Sequence, residues 1–538
     1  RGPRLRARQR TQARCARLRR PAVRDMAGVV CAWLRNDLRV HDSGVLHRAA
    51  EVSRHRGLPT LPVYVFDPRQ FQRTRFGTLK TGAFRALFLL QAVRALKRRL
   101  RGLGSDLLVR VGRPEDVLPP LLPRGSALLT QEEVTSEERA ADTRLRDRLG
   151  GDVSWEYVWG STLFHRADLP FRDDLQDAPD VFTAFKNAVE PEMAARVNEV
   201  PESFLGGKKA QSRIGARPCL PEPRQGSLPF PPGLDAPEDV LTWESLPFQE
   251  PVSEPTPVEA AAFHFEGGEE AGLARLHHYL FGADLVATYF DSRNGMLGGD
   301  YSTKLAPWLS LGCVSPRKVF EQIREYERVR TASKSTYWVI FELMWRDFYR
   351  FFAAKHGDRI FKLGGVAGRQ RDWRTDAETF QLWAHGRTGF PLIDANMREL
   401  QATGFMSNRG RQNVASFLAL DMGTDWRLGA DWFESFLLDY DVTSNWGNWV
   451  HAAGLTTGRI NRFNVVKQSK TYDRSGEYLR HWLPELRSVP DRFVHEPWLM
   501  SGEERQQFGA GAYPPPCLEP ARFQEDRDRR RGQRGKKK

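Results

Sequence analysis

Cysteine is scarce in this chain of 538 residues, with Cys15, Cys31, Cys219, Cys313 and Cys517 scattered and no CxxC pair. An odd, sparse count favours reduced thiols in an intracellular protein over a disulfide framework or a zinc site. The twelve histidines include no HExxH, so metal catalysis has no support and no metal ligand is expected. No apolar run approaches the roughly 18 residues that a membrane span needs, so a membrane is not expected as a partner. The first strand-like run leads into RNDLRVHDS with neither GxGxxG nor GxxxxGK[ST], which excludes the common phosphate fingerprints there.

Acidic residues fall short of basic ones by a net +14, but the excess is local. Residues 1–25 hold ten Arg against Asp25, and residues 521–538 hold nine Arg and Lys against three acids, which leaves the body between them close to neutral. The charge therefore describes two tails and says little about the core. The first residue is Arg, and Met26 directly precedes the first strand-like run. Residues 1–25 read as a transit peptide, a basic arm or translated upstream sequence, and their lack of Ser weakens the transit reading. A nuclear or cytoplasmic location, or import into an organelle by residues 1–25, stays open.

From Gly28 to Gly160, β-branched runs (GVVCAWL, LPVYVF, LLVRVG, ALLTQ, VSWEYVW) alternate with helix-like stretches such as TGAFRALFLLQAVRALKRRL. This alternation predicts a doubly wound parallel sheet in an α/β domain over residues 26–165. Residues 166–262 read as an interdomain linker, with prolines crowding from Phe204 to Pro257 at a density that cannot sustain helices or central strands. Residues 263–502 turn to amphipathic helical periodicity and predict an all-α domain. Residues 503–538 become polar and then basic, and read as a disordered tail.

Chemistry concentrates in the helical half. Glu342, Trp345, Arg346 and Tyr349 fall at offsets 0, 3, 4 and 7 of a helix beginning near Ser335, on one face. An acid, an aromatic plate and a cation side by side can hold a flat base, although core packing with a Glu–Arg pair is the commoner use of such a face. Asn408, Arg411 and Gln412 repeat the spacing with two neutral amides and a fork for a carboxylate. Asp439 and Asp441 follow in LLDYDV, where a buried Arg–Asp pair is commoner than metal or acid–base work. Trp373, Trp426 and Trp449 stand in three separate segments and are by default packing residues.

Together RNGMLGGDYSTKLAPWLSLGCVSPR, FELMWRDFYRF, GFPLIDANMRELQATGFMSNRGRQ, LLDYDVTSNWGNW and YDRSGEYLRHWLPELRSVP resemble the photolyase/cryptochrome family, most closely its cryptochrome-DASH branch, over about 29–498. The resemblance implies a C-terminal helical FAD-binding domain. Tyr289 with Ser302, Thr303, Lys304 and Leu305 would hold phosphates and ribose, Arg411 and Asp439 would pair over the ring system with Asp441 nearby, and Asn445 would face the reactive ring nitrogen. Trp449, Trp426 and Trp373 would carry electrons between flavin and surface. The family reaction splits cyclobutane pyrimidine dimers with an electron from excited reduced flavin, in this branch preferentially in single-stranded DNA, by a protein expected to be monomeric. Glu342, Trp345, Asn408 and Gln412 match the pocket for the extruded dimer, with Arg346 beside them. His451 stands where relatives have Trp or Tyr, and Ala306 replaces a small hydroxyl residue of the phosphate loop. Glu133, in TQEEVTSEE, matches the acid that contacts a 5,10-methenyltetrahydrofolate antenna. The rival expectation is a blue-light photoreceptor or DNA-binding regulator with little repair activity.

Overall fold

Five strands, β1 (Val30–Leu34), β2 (Thr60–Phe66), β3 (Leu108–Val111), β4 (Ala127–Gln131) and β5 (Ser154–Val158), form one parallel sheet in the order β3-β2-β1-β4-β5. This computed structural model describes residues 28–196, 216–234 and 241–523, so the basic leader and residues 524–538 lie outside them. The first part of the stretch read as a disordered tail is ordered: it holds the helix Gly502–Gln507 and buries Tyr513, whose Oη donates to Asp394 Oδ2 (2.6 Å), contacts that the polar composition concealed. The strands are the five β-branched runs of the sequence. β1, β2 and β4 are buried along their whole length, as a parallel sheet covered on both faces requires. Helices α1 (Gly44–Arg56), α2 (Ala83–Gly102) and α3 (Ser136–Leu149) supply crossovers.

The stretch read as linker contains a helix, α4 (Phe182–Arg196). Its Phe182, Phe185 and Val189 recur at offsets 0, 3 and 7 and are all buried, a helical face that the proline count of the whole stretch obscured. From Pro218 to Pro257 the described residues hold one short 3-10 turn, Trp243–Ser245.

The C-terminal half is helical. Its axis is α5 (Lys334–His356), opened by a capping box in which Ser333 Oγ accepts from Thr336 N (3.2 Å) and Thr336 Oγ1 from Ser333 N (3.0 Å). Around it lie α6 (Pro391–Thr403), α7 (Asn408–Ser416), α8 (Trp426–Phe436) and α9 (Val442–Ala452). Among the described residues no helix is long and apolar enough to cross a membrane.

The RNDLRVHDS loop, which carries no phosphate fingerprint, locks the two domains together. Leu38 N donates to Leu311 O (3.1 Å) and Arg39 Nη1 to Gly312 O (2.9 Å). Gly312 has φ +66° and touches Asn36 so closely that a Cβ would overlap the Asn36 carbonyl, a place where only glycine fits. Glu269 accepts from Val40 N (2.8 Å), His41 N (3.0 Å) and His41 Nδ1 (2.6 Å), while His41 Nε2 accepts from Ser315 N (3.1 Å). Asp42, fully buried at its side chain, takes a fork from Arg317 (2.6 and 3.0 Å) and hydrogen bonds from Ser315 Oγ and Leu220 N.

Removing one partner of a buried pair leaves the other charge without compensation, at a cost of about 3–5 kcal/mol. Asp42→Ala is therefore expected to lose stability on that scale in urea unfolding of the full chain, whereas Arg124→Ala, in an exposed pair with Asp152, is expected to change it by less than about 1 kcal/mol. Equal effects in the two variants would contradict the interdomain lock.

Candidate functional site

A short loop before the helix Ala306–Ser310 collects the first group of site residues. Arg275 is buried, and its guanidinium serves this loop alone among its hydrogen bonds: Nε to Thr303 O (3.0 Å), Nη2 to Gly299 O and Ser302 O (3.0 Å each), Nη1 to Asp300 Oδ1 (2.8 Å). The carbonyls are thus turned towards Arg275. Lys304 follows with φ +53°, in the left-handed region, and is buried over the rings of Tyr301 (3.9 Å) and Phe405 (4.4 Å). Leu305 follows it, buried, and Tyr289 is buried edge-on to Tyr279 at 6.3 Å, while Ala306 is exposed at the helix start.

The second group is built on α7 and the turn before α9. Ser407 Oγ caps α7 by accepting from Gly410 N (3.0 Å), which sets Arg411 one turn in. Arg411 Nη2 bonds Asp439 Oδ2 (2.8 Å) and its Nε bonds Met406 O (2.9 Å). Asp439 Oδ1, buried, has no hydrogen-bond partner among the described residues, and neither has Tyr301 Oη. Buried polar atoms of this kind, with a cation at each side, fit a polar ligand such as a flavin nucleotide better than an apolar one. Asp441 caps α9, accepting from Thr443 N (2.8 Å), Thr443 Oγ1 (2.7 Å) and Ser444 N (3.1 Å). Burial opposes its charge, but Arg346 at 3.8 Å and the Thr443 and Ser444 hydrogen bonds outweigh it and hold the carboxyl below its ordinary range. Asn445 donates Nδ2 to Ala430 O (3.0 Å), which orients the amide and leaves its Oδ1 as an acceptor.

The third group lies on α5 and α7. Glu342 is half-buried and accepts from Arg293 Nη1 (3.1 Å); burial pushes its carboxyl up, against the pull of Arg293. Arg409 donates to Gln412 Oε1 (2.9 Å) and Asn294 Oδ1 (2.9 Å), so residues 293–294 join Glu342 to Gln412. Asn408 is exposed at the start of the same helix. Trp345 carries Phe182 face to face on one side, at 3.7 Å and 9°. Arg346 departs from the expected role. Its guanidinium bonds Ser161 O and Leu309 O (3.0 Å) and faces Asp441, so it holds protein carbonyls at the domain boundary instead of meeting a base or phosphate. His451 is half-buried, and burial holds its imidazolium down, so the ring is neutral at neutral pH. Glu133 is buried between the domains, accepting from Gln131 Nε2 (3.0 Å) and Arg350 Nη2 (3.1 Å).

The three tryptophans sit on linked segments. Trp449, 2% exposed, packs against Gly429 of α8, where a Cβ would overlap the indole. Trp426 begins the same helix, is 0% exposed and donates Nε1 to Leu363 O (3.1 Å). Arg374 forms a parallel bridge with Thr424, bonding Gly423 O (2.8 Å) and Asp425 N (2.9 Å), and so holds half-exposed Trp373 beside the start of α8. Trp446 packs edge-on to Trp426 at 5.7 Å and 77°. Arg275, Arg293, Arg409 and Phe182 escaped the sequence reading. For Arg275 the signal was present: a cation beside buried Gly272 and Leu276 on the apolar side of its helix.

A parallel-sheet domain locked to a helical domain with a polar ligand cradle is the two-domain architecture of the DNA photolyase class. The family model for DNA photolyase matches residues 30–203, and that for the FAD binding domain of DNA photolyase matches 338–531. Cryptochrome DASH, chloroplastic/mitochondrial, of Ostreococcus tauri is 50% identical over 89% of this chain and 88% of its own length, and Cryptochrome DASH of Danio rerio is 48% identical over 88% and 86%. The crystal structure of the Synechocystis cryptochrome superposes with a TM-score of 0.81 at 42% identity, covering 93% of this chain and 98% of that one. A class III photolyase from Agrobacterium tumefaciens, 24% identical, shares the fold with a TM-score of 0.70 over 93% of this chain and 96% of its own. The chain belongs to the photolyase/cryptochrome family, in its cryptochrome-DASH branch.

Asp439→Ala would strand Arg411 without its counter-charge, and truncation of one member of a hydrogen-bonded charge pair costs about 2–5 kcal/mol. Flavin retained through purification, read from visible absorption per protein, should fall at least about tenfold, with the far-ultraviolet circular dichroism preserved. Full flavin content in the variant would contradict the placement of this pair in the cradle.

Proposed function

We propose that the protein splits cyclobutane pyrimidine dimers under blue light, preferentially in single-stranded DNA, and that it acts as a monomer. FAD, when bound and reduced, supplies the electron for this chemistry. The observation that carries the reading is the polar lattice Glu342–Arg293–Asn294–Arg409–Gln412, half-buried and adjacent in sequence and space to Arg411. It offers a pyrimidine edge an acid, an amide and two cations. The Glu342 carboxylate, held by Arg293, keeps acceptor capacity for a base N–H. The cations offset phosphate charge.

Trp345 is the aromatic plate of this reading. Phe182 backs one of its faces and Tyr349 lies stacked at 5.7 Å, so a base meets the part of the ring that these two leave exposed. With neutral His451 in place of a larger aromatic, stacking energy is smaller than two full plates would give. A dimer in single-stranded DNA has already lost pairing and much of its stacking, so its extrusion costs less and a weaker pocket suffices. Asn445 Oδ1, held as an acceptor, suits a protonated ring nitrogen and supplies no proton itself.

The reading makes two demands. Reduced protein under blue light should repair dimers in single-stranded oligonucleotides. Glu342→Ala should lower repair by about 10-fold to 100-fold, the range of one charged hydrogen bond of about 1.5–3 kcal/mol, and deletion of residues 524–538 should leave it unchanged. Light-independent binding without repair in the wild type would instead establish the regulator. Trp449, Trp426 and Trp373, running from interior to surface, form the path for electrons from an external donor. Trp449→Phe should abolish light-driven flavin reduction while leaving chemically reduced protein able to repair; unchanged photoreduction would remove these residues from the path.

For a second chromophore we propose methenyltetrahydrofolate at Glu133, supported by the buried carboxylate and by Trp159 stacked on Phe351 nearby at 5.6 Å and 9°. A near-ultraviolet folate band should appear in gently purified protein and disappear in Glu133→Ala.

A further inference from the structure

Helix α4 reaches α5 from the stretch read as linker and is tied to it at two places. Ahead of its first turn, Gln176 Nε2 donates to Lys355 O (3.3 Å), and Lys355 Nζ donates to Ala178 O (2.6 Å) and Asp180 Oδ1 (2.8 Å). His356 Nε2 donates to the same Asp180 oxygen (2.7 Å). Arg359 Nη2 donates to His356 Nδ1 (2.9 Å), which puts the ring proton on Nε2 and fixes the tautomer that faces Asp180. Further along α4, Glu190 accepts from Tyr337 Oη (2.6 Å) and Lys186 Nζ (2.8 Å). The two ties thus lie near opposite ends of α5.

Phe182 stands between them, buried. Its ring lies on Trp345 at 3.7 Å and 9° and meets Phe341 (5.1 Å, 84°) and Phe348 (5.8 Å, 83°) edge-on. Tyr349 and Phe348, which also touch Trp345, belong to α5 and move with it. Among the described residues, Phe182 is therefore the ring neighbour of Trp345 that a separate element supplies. Only Val181 separates Phe182 from Asp180, and Val181 O already accepts from Phe185 N (3.0 Å) in the first turn of α4. A shift of Asp180 is passed to Phe182 with little slack. The cluster is also partly withdrawn from water, with side chains 24% exposed at Asp180, 14% at Lys355 and 5% at His356, so it is screened less than a surface ion pair.

We propose that Asp180 is a positioning residue for the dimer pocket: tied to Lys355 and His356, it sets Phe182 on Trp345 and so fixes the ring that an extruded base meets. This rests on the reading of Glu342, Trp345 and Gln412 as that pocket. Asp180 touches neither base nor flavin in this arrangement. Its effect is on how tightly a dimer is held, because a ring that must be ordered on binding costs affinity that a ring already in place does not.

The test gives reduced full-length protein, under blue light, a single-stranded oligonucleotide carrying one thymine dimer at varied concentration. Asp180→Ala should raise KM by about threefold to tenfold, the range of one aromatic pair, with kcat and flavin content kept. Asp180→Asn, whose amide oxygen still accepts from Lys355 and His356, should return KM to within about twofold of the wild type. Phe182→Leu, which keeps bulk in the core but removes the flat stack, should raise KM like Asp180→Ala, and the double variant should be no worse than either. An unchanged KM in Asp180→Ala, effects that multiply in the double variant, or loss of flavin from Asp180→Ala would overturn the positioning role and leave the repair reading standing. A wild type that repairs no dimer at any concentration would overturn both.

Discussion

The structure depends on one helix being unable to stand alone. Within two turns of α5, Arg346, Asp347 and Arg350 form a row of buried charge that the helical domain does not satisfy by itself. Asp347 is fully buried and its carboxylate accepts from Leu163 N (3.0 Å) and Phe164 N (2.8 Å), while Arg350 bonds Glu132 O (2.6 Å) and Arg346 bonds the Ser161 carbonyl. All these partners follow β4 and β5 in the α/β domain. Burial pushes Asp347 up to about 7 against those two amides, so its charge is tolerated only while the segment at 161–164 stays docked. The adjoining face of the same helix presents Glu342 and Trp345. Docking of the domains and orientation of the proposed substrate groups are consequently one event, because a single rigid helix carries both.

The loop after β1 works in the same sense from the opposite direction. In an open parallel sheet the crevice beyond the strand ends usually receives a ligand at the point where strand order reverses, here between β1 and β4. In this chain the β1 loop spends its polar groups on Glu269, Gly312, Ser315 and Arg317 of the helical domain. The absence of a glycine fingerprint thus has a physical counterpart: side chains that would otherwise be free for phosphate are engaged in holding a second domain.

Much of this was legible in sequence because it rests on periodicity. The five strands are β-branched runs, and Ser333 and Asp441 are capping residues at the starts of apolar helical patterns. The Arg411–Asp439 pair also had a local signal, a cation and an acid in two polar clusters. What escaped was set by rotation about a helix axis and by contacts distant in sequence. Offsets 0, 3, 4 and 7 put Arg346 within 100° of Glu342 on α5, yet the α/β domain covers the edge of that arc and captures the guanidinium. Phe182 read as linker because its neighbourhood was judged by proline content, while its stack on Trp345 joins residues 163 apart. Arg275 drew no attention in sequence because its partners are backbone carbonyls of a loop 24 to 28 residues away.

These misses share a cause that bears on how the site works. Phe182, Arg346 and Arg275 each hold a group that the sequence had marked: Phe182 the Trp345 ring, Arg346 the domain boundary beside the Asp441 cap, Arg275 the phosphate loop. None needs to touch a ligand. A flat aromatic plate free to rotate would lose orientation with each rotamer change, whereas one held at 3.7 Å against Phe182 and flanked by Tyr349 at 5.7 Å keeps one orientation. A seven-residue loop with unpaired amides would collapse onto its own carbonyls unless those were engaged elsewhere, and one guanidinium with donors in a fixed fork engages three of them at once. Motif reading finds groups whose chemistry faces a ligand. The groups that fix them in place are chosen by geometry alone, and their residue types, a phenylalanine and two arginines, are too common to announce the role.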